Sequence, residues 1–144
     1  MRGNEFFEIA KHLLGNPPAR WQEAAERTAA SRIYYAAFIY SRDLMETWGC
    51  SFTENAVHTQ VAEGLKASRE LELVRIGKKI SELHDERKRA DYQTKAPEGF
   101  DFARLEALYE DVVRELQNRW AHLGEHARQA AMREIRARIA SYQS

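Results

Sequence analysis

Cysteine, glycine and proline are scarce in this chain of 144 residues, which contains one cysteine, seven glycines and three prolines. The single cysteine, Cys50, excludes an intramolecular disulfide and a cysteine-based metal site. No apolar run approaches the ~18 residues that a membrane span needs, and the start of the chain has no apolar stretch of signal-peptide length. We therefore expect a protein of the reducing cytoplasm with no membrane partner.

Charge of one sign is not in excess either, because 22 basic residues balance 22 acidic ones. The chain thus lacks the overall positive charge of many nucleic-acid-binding proteins, and any such binding must depend on a local patch. Sixteen of the basic residues are arginine. The forked guanidinium of arginine suits contacts with phosphates and carboxylates.

Several motifs of catalysis are missing: there is no phosphate-binding glycine loop, no His-Glu-x-x-His helix and no nucleophile elbow. Among the five scattered histidines, His122 and His126 are four residues apart, a spacing that holds a metal on a helix. A matching third ligand is not found near them. The sequence therefore predicts neither a metal site nor a cofactor.

Helical periodicity runs through the whole chain, since apolar residues recur at intervals of three and four and no strand-like alternation persists. The pattern predicts five helices: 4–14, 19–48, a third opened by a Ser51 and Glu54 capping box, 69–92, and a fifth that begins after an Asp101 N-cap and ends or kinks at Gly124. Short connections favour an all-α, antiparallel up-and-down bundle of four or five helices.

A single domain is expected, with the bundle in residues 1–123 and a C-terminal helical arm of the same domain in 124–144. The arm has only a thin apolar stripe, formed by Met132, Ile135 and Ile139 among several arginines. Two roles fit it, a partner-binding arm or a solvated tail, and its docking on its own bundle or on another protomer is left open.

The fourth predicted helix carries an arginine on its apolar seam. The seam follows steps of three and four residues through Leu73, Ile76, Ile80 and Leu83. The same steps place Arg87 and then Ala90 on it. A guanidinium in apolar surroundings needs a partner or a groove kept open for an anion. Asp91, one turn later, fits a structural ion pair, and the hydroxyl of Tyr92 is expected to turn back toward Arg87 where the helix ends.

The neighbourhood of Arg87 is locally basic. Between residues 75 and 89, six basic residues, Lys88 and Arg89 among them, face three acidic ones. Such an excess attracts phosphates, although a solvated charged face explains it as well.

Two segments together resemble the HEPN domain (higher eukaryotes and prokaryotes nucleotide-binding): Ser31-Arg32-Ile33-Tyr34-Tyr35-Ala36-Ala37-Phe38 and Glu86-Arg87-Lys88-Arg89-Ala90-Asp91-Tyr92. They are similar to a bacterial branch in which a Ser-Arg-x-Tyr-Tyr-Ala segment is followed by Arg-x-x-Ala-Asp-Tyr. Arg87 and Arg89 compete for the motif arginine, and Arg87 has the better spacing. The similarity covers residues 4–117 and includes His58 and Gly77.

The resemblance implies a helical bundle that dimerises. In the nuclease members of the family, an Arg-x4-6-His motif from each protomer meets in a composite cleft that cuts RNA without a metal. Arg87 matches the arginine, but Tyr92 stands at the histidine position. Histidine accepts a proton near neutral pH, whereas an unperturbed tyrosine, with a pKa of about 10, does not. The roles left for Tyr92 are to orient a phosphate, to stack on a nucleobase, or to act as the proton acceptor with a lowered pKa. His84, on the same helix face as Arg87, is either a substitute proton acceptor or a histidine at the rim of the seam.

The predicted site therefore has Arg87, Tyr92 and His84 as candidate catalytic residues. The candidate binding residues are Arg32, Lys88, Arg89 and Asp91. Because Arg32 and Asp91 both belong to the signature segments, they are expected to form an ion pair between the second and fourth helices.

Two functions fit these residues. The first is a homodimeric HEPN protein of a bacterial conflict or toxin-antitoxin system that binds RNA or a nucleotide around Arg87, with metal-independent ribonuclease activity left open. The second is a non-catalytic interaction module that pairs with a partner such as a nucleotidyltransferase antitoxin, in which Arg87, Asp91 and Tyr92 hold the fold or the dimer together. The missing histidine favours the second.

Overall fold

The computed structural model describes residues 2–15, 21–92 and 99–143, and in these residues every regular element is an α-helix. Their bounds are α1 (Gly3–Gly15), α2 (Gln22–Thr47), α3 (Val57–Ala67), α4 (Leu71–Tyr92), α5 (Phe102–His122) and α6 (Glu125–Ala140). The predicted start of the second helix at residue 19 lies outside the described residues. Among the helices described, none combines the length and apolar character needed to cross a membrane. The all-α helical bundle is confirmed for this part of the chain.

α2 is the central helix and packs against α1, α4 and α5. Its middle is buried on nearly all sides, through Ala29, Ala30, Ile33, Tyr34, Ala36, Ala37 and Phe38. α2 and α4 are antiparallel, because Arg27 contacts Ala90 whereas Tyr35 contacts Arg87. α4 and α5 are antiparallel too, as three ion pairs show: Glu72 with Arg119, Lys79 with Asp111 and Glu82 with Arg104.

The strict up-and-down order fails between α2 and α3. Rings of His58 and His84 stack near one end of the α3 and α4 contact, while Lys66 lies against Gly77 farther along, so these two helices are antiparallel. Since α4 is also antiparallel to α2, α2 and α3 run in the same direction. Residues 48–56 therefore run back along α2 and place His58 beside Phe38. The distance from the end of α2 back to Phe38 is roughly 14 Å along the helix, which an extended segment of this length spans.

The predicted capping box does not open α3. The helix begins at Val57, and its N-cap Ala56 has a left-handed backbone (φ 59°) with no side-chain capping bond. The side chain of Gln60 holds the preceding loop instead: it accepts from the Thr53 N–H at 3.3 Å and donates to the Asn55 carbonyl at 2.6 Å. Gln60 is fully buried, so this internal amide organises the loop where a local Ser51 and Glu54 pair was expected.

The Asp101 N-cap is confirmed, because its carboxylate accepts from the Arg104 N–H at 3.1 Å. α5 then ends at His122, and Gly124 becomes the N-cap residue of α6. His122 and His126 consequently lie on two different helices.

α6 docks on its own bundle through the thin apolar stripe. Met132, Ile135 and Ile139 are buried, and the latter two lie against Gly64 of α3. Gln143, beyond the helix, donates to the Ser51 carbonyl at 3.1 Å. The description of this segment as a solvated tail is therefore wrong. The stripe is narrow because α6 packs mainly on one neighbour, α3.

Candidate functional site

Arg87 lies on the buried seam of α4, as its spacing predicts. Leu83 and Ala90, one turn to either side, are both buried, and only 16% of the Arg87 side chain is exposed. The guanidinium is thus held largely away from water, where it needs compensating contacts.

Two side chains supply those contacts. The Nη2 group of Arg87 donates to the Tyr35 hydroxyl at 2.9 Å. Its Nε atom lies 2.8 Å from Oδ2 of Asp91, but the Nε hydrogen forms no directed hydrogen bond, so this contact is a charge pair. Asp91 is therefore the ion-pair partner that the spacing predicts, and Tyr35 on α2 is an additional partner from another helix.

Tyr92 does not occupy the place expected for it. Its side chain is 72% exposed, and the hydroxyl that contacts Arg87 belongs to Tyr35. α4 remains helical through Tyr92, and five residues on a helix correspond to a rotation of about 140° away from Arg87. The expected turn of the Tyr92 hydroxyl toward the guanidinium is therefore wrong.

An aromatic and imidazole cluster adjoins Arg87. Tyr34, fully buried, shares a 2.5 Å hydrogen bond with Nδ1 of His58. The Tyr34 ring stacks on His84 at 4.9 Å between centroids, and the two imidazoles stack on each other at 5.4 Å. The edge of Tyr35 meets His58 at 5.9 Å. The cluster thus links α2, α3 and α4 at the point where Arg87 lies.

Both imidazoles of the cluster are held in the neutral form near neutral pH. Burial, followed by the charge of Lys88 and the proximity of His58 and Arg87, lowers the pKa of His84 to about 4. Burial and the guanidinium of Arg87 also lower the pKa of His58. In contrast, burial raises the pKa of Tyr34 far above its ordinary value, so this hydroxyl stays protonated. The site therefore combines a fixed cation with two uncharged imidazoles. Nδ1 of His58 already shares a hydrogen bond with Tyr34, and the low pKa of His84 makes its imidazole a weak base.

An open cleft of about 320 Å³ gives access to the two imidazoles. Its lining is mostly polar: His58, Thr59, Ala62, Glu63, Lys66, Ser81, His84, Asp85 and Lys88. On the rim, Lys66 pairs with Glu63 at 2.8 Å and Lys88 pairs with Asp85 at 3.5 Å. Half-exposed ion pairs of this kind are weak, so an incoming phosphate competes for their ammonium groups at little cost.

The expected ion pair between Arg32 and Asp91 is not formed. Both residues line a second groove, of about 370 Å³, but the Asp91 carboxylate pairs with Arg87. The Arg32 guanidinium lies 5.5 Å from the ring centroid of Phe6. α1 supplies that ring, which attracts Arg32 through its π face.

Arg89 points away from the cluster. Two residues correspond to about 200° around a helix, so Arg89 and Arg87 face different neighbours. Arg89 pairs with Glu86 at 3.2 Å, donates to the Gly99 carbonyl at 3.0 Å and lies 4.6 Å from the ring centroid of Phe100. Its contacts join α4 to the segment before α5, whereas Lys88 lines the imidazole cleft.

Sequence reasoning missed Tyr34, Tyr35 and His58 as site residues, although they lie within the quoted similarity. A signal for the tyrosines was present, because a tyrosine in a helix that is apolar on all sides needs a polar partner for its hydroxyl. No spacing rule joins these residues to His84, since they come from different helices. In the part of the chain that the structure describes, no group of three or more histidine, cysteine, aspartate or glutamate side chains is placed to hold a metal ion.

The low pKa of His84 predicts a pH-dependent stability. A half-buried histidine such as His84, with a folded pKa near 4 and an unfolded pKa of about 6.5, binds fewer protons when folded. Its contribution is fully present above pH ~6.5 and is lost as the pH falls toward 4. Urea unfolding from pH 7 to pH 4.5 is expected to show a smaller loss of stability in His84→Phe than in the parent. His126→Phe, at an exposed position, is the control, and equal pH slopes in all three proteins would contradict the prediction.

Comparisons with known proteins identify no family for this chain. No protein-family model, curated protein or solved structure matches the chain. The resemblance to the HEPN domain accordingly rests on the two segments around Tyr34 and Arg87.

Proposed function

We propose that this protein binds RNA in the cleft beside Arg87 and cleaves it without a metal ion, as a homodimeric HEPN-type protein of a bacterial conflict or toxin-antitoxin system. One observation carries the proposal: two neutral imidazoles, His58 and His84, line an open cleft, and the guanidinium of Arg87 behind them is close enough to lower the pKa of both. A cation that holds a phosphate and a base that takes a proton are the two groups that metal-independent RNA cleavage requires.

His84 takes the role of the motif histidine, whose position Tyr92 occupies. In this mechanism the neutral imidazole removes the proton from a ribose 2′-hydroxyl, and the 2′-oxygen forms a bond to the adjacent phosphorus. The bond from phosphorus to the 5′-oxygen breaks, that oxygen takes a proton from water, and the hydroxide left behind takes up the proton that His84 accepted. Arg87 stabilises the negative charge on the phosphate oxygens as it grows. Lys88 on the cleft rim attracts the backbone of the incoming strand.

A structural role for Arg87 is the second candidate, because its charge already pairs with Asp91 and its Nη2 with Tyr35. In that case the cluster holds α2 and α4 together in a non-catalytic module, and the interaction partner, such as a nucleotidyltransferase, binds elsewhere. The first candidate is preferred because a purely structural cluster does not need an open polar cleft beside it.

Incubation of the purified protein with mixed RNA in the presence of a chelator tests the proposal. Cleavage is expected in the parent and in Tyr92→Phe, since the Tyr92 hydroxyl lies away from Arg87. His84→Asn, which keeps a polar side chain but removes the base, is expected to lose activity by roughly 100-fold, the lower end of the range for general acid or base catalysis. Absence of cleavage by the parent, together with no RNA retardation at low salt, would overturn the proposal.

A further inference from the structure

A third groove lies at the other end of the bundle, between α6 and the ends of α2 and α5. Its volume is about 420 Å³. It is lined by Trp48, Trp120, Glu125, Arg128, Gln129, Met132, Arg133 and Arg136. Trp48 lies about 20 Å along α2 from Tyr35, so this groove is separate from the imidazole cleft.

Two indoles form the aromatic part of the groove. The rings of Trp48 and Trp120 stack at 4.1 Å between centroids, with an angle of 15° between their planes. Both side chains are partly exposed. Such a pair presents a flat, rigid platform of the kind on which unpaired nucleobases stack.

Three arginines of α6 form the charged part, and their charges are not neutralised by carboxylates. Arg128 donates to the carbonyls of Trp120 and Ala121 at 3.1 and 2.7 Å, and Arg136 contacts the Gly49 carbonyl at 3.4 Å. Within the described residues, no carboxylate lies at ion-pair distance from Arg128, Arg133 or Arg136, whereas most other arginines have such a partner.

Among the described residues that line the groove, Glu125 is the one carboxylate, and it forms no ion pair with these arginines. Glu125 accepts a hydrogen bond from the Gln129 amide at 3.2 Å. In a chain with no net charge, three arginines without a carboxylate partner among the described residues thus lie on α6 beside the indole platform. Aromatic rings and arginines in one groove fit a planar base that carries a phosphate.

We infer that this groove is a second binding site, for a nucleobase with its phosphate. The base stacks on the Trp48 and Trp120 platform, and the phosphate contacts Arg133 and Arg136. An unpaired segment of RNA and a free nucleotide share this chemistry. The site does not depend on the cleavage proposed for the Arg87 cleft.

Tryptophan fluorescence tests the site directly. The chain has three tryptophans, so a Trp21→Phe background confines the signal to the two indoles of the groove. We expect quenching on titration with a uridine or adenosine dodecamer, or with AMP, at low salt. Quenching by the oligomers alone identifies single-stranded RNA as the ligand, and equally strong quenching by AMP identifies a free nucleotide. Absence of quenching by all three would overturn the inference.

The arginines are tested by a double variant, Arg133→Gln with Arg136→Gln. Its Kd for the better ligand is expected to rise at least tenfold, with a shallower dependence of binding on salt, because two phosphate contacts are lost. Arg75→Gln with Arg114→Gln removes the same charge from exposed positions outside the groove and serves as the control. Equal Kd values for the two double variants would contradict the site.

Two further measurements separate this site from other effects. Arg133 is exposed on α6, so Arg133→Gln alone leaves the α3-facing stripe intact and is expected to keep the melting temperature of the parent while still weakening binding. Quenching is expected to persist in Arg87→Ala. If Arg87→Ala abolishes quenching while the helical content is unchanged, the ligand binds at the Arg87 cleft and the second site is refuted.

Discussion

Replacement of Arg87 with alanine is expected to lower the kcat of RNA cleavage by roughly 100-fold to 1,000-fold, the range observed when one donor to a developing anion is removed. The guanidinium lies close enough to the two neutral imidazoles to lower the pKa of both, and the Tyr35 hydroxyl and Asp91 hold it in place. Cleavage of a defined RNA in the presence of a chelator measures this effect. Arg75→Ala, which removes an exposed arginine from the same helix, is the control and is expected to retain activity.

The same variant has a spectroscopic signature. Arg87 is one of the groups that lower the pKa of His84, after burial, Lys88 and His58, so its removal is expected to raise that pKa. An NMR titration of the imidazole resonances measures the change. Stability is expected to fall by only about 1 kcal/mol, because the Asp91 side chain left behind is 31% exposed and accessible to water.

The two candidate functions differ in these results. If Arg87→Ala unfolds the protein at much lower denaturant concentration and the parent shows no cleavage, the arginine holds the fold and the catalytic role is refuted. If cleavage by Arg87→Ala equals that of the parent, Arg87 does not stabilise the reacting phosphate. Arg87→Lys, which keeps the charge but loses the fork, is expected to recover part of the activity.

Replacement of Gly77 with valine is expected to lower the free energy of unfolding by about 3 kcal/mol, at the upper end of the cost of overpacking. A Cβ atom at this position would lie 2.9 Å from the Ala62 carbonyl oxygen and 3.2 Å from Cβ of Leu65. Neither atom is the free end of a flexible side chain, so α3 and α4 have to separate. For a domain of this size, the loss corresponds to a melting temperature lower by roughly 10 °C.

Gly124→Val is the matched control for this variant. A Cβ at Gly124 meets nothing within 4 Å, and its backbone (φ −68°, ψ 163°) suits any residue. Because the N-cap position of α6 is less favourable for valine, a loss of up to about 1 kcal/mol is expected there. Thermal unfolding followed by circular dichroism compares the two proteins, and equal melting temperatures would show that the contact between α3 and α4 tolerates a side chain.

The positions of the long helices followed from the sequence because their cause is local. Apolar spacing predicted α2, α4 and α5 to within a few residues, and the Asp101 cap was identified from its place in the chain. The start of α3 was not, since the buried Gln60 amide, which holds residues 51–56 in the folded protein, competes with the local capping signal. The shared direction of α2 and α3 was missed as well, because no local pattern encodes the path of a long connection.

Some contacts of the candidate site were likewise predicted from the sequence, and others were not. The placement of Arg87 on a buried seam and its pairing with Asp91 depend on spacing along one helix, and both were predicted. The contact with Tyr35 depends on how α2 packs against α4, and the stacking of His58 on His84 depends on how α3 packs against α4. Spacing along a single helix carries no information on either contact.

The sequence by itself determined that this protein is helical and that one arginine of α4 faces the interior, because both follow from the period of the α-helix. Only the tertiary structure decided which side chains meet that arginine, whether α6 docks on its own bundle, and which histidines are held neutral beside it. Burial and charge proximity set the pKa of His84, and both arise only when three helices come together. The buried position of Arg87 was thus predicted by helical periodicity, whereas its contact with Tyr35 and the neutral state of the His84 imidazole result from the packing of helices against one another.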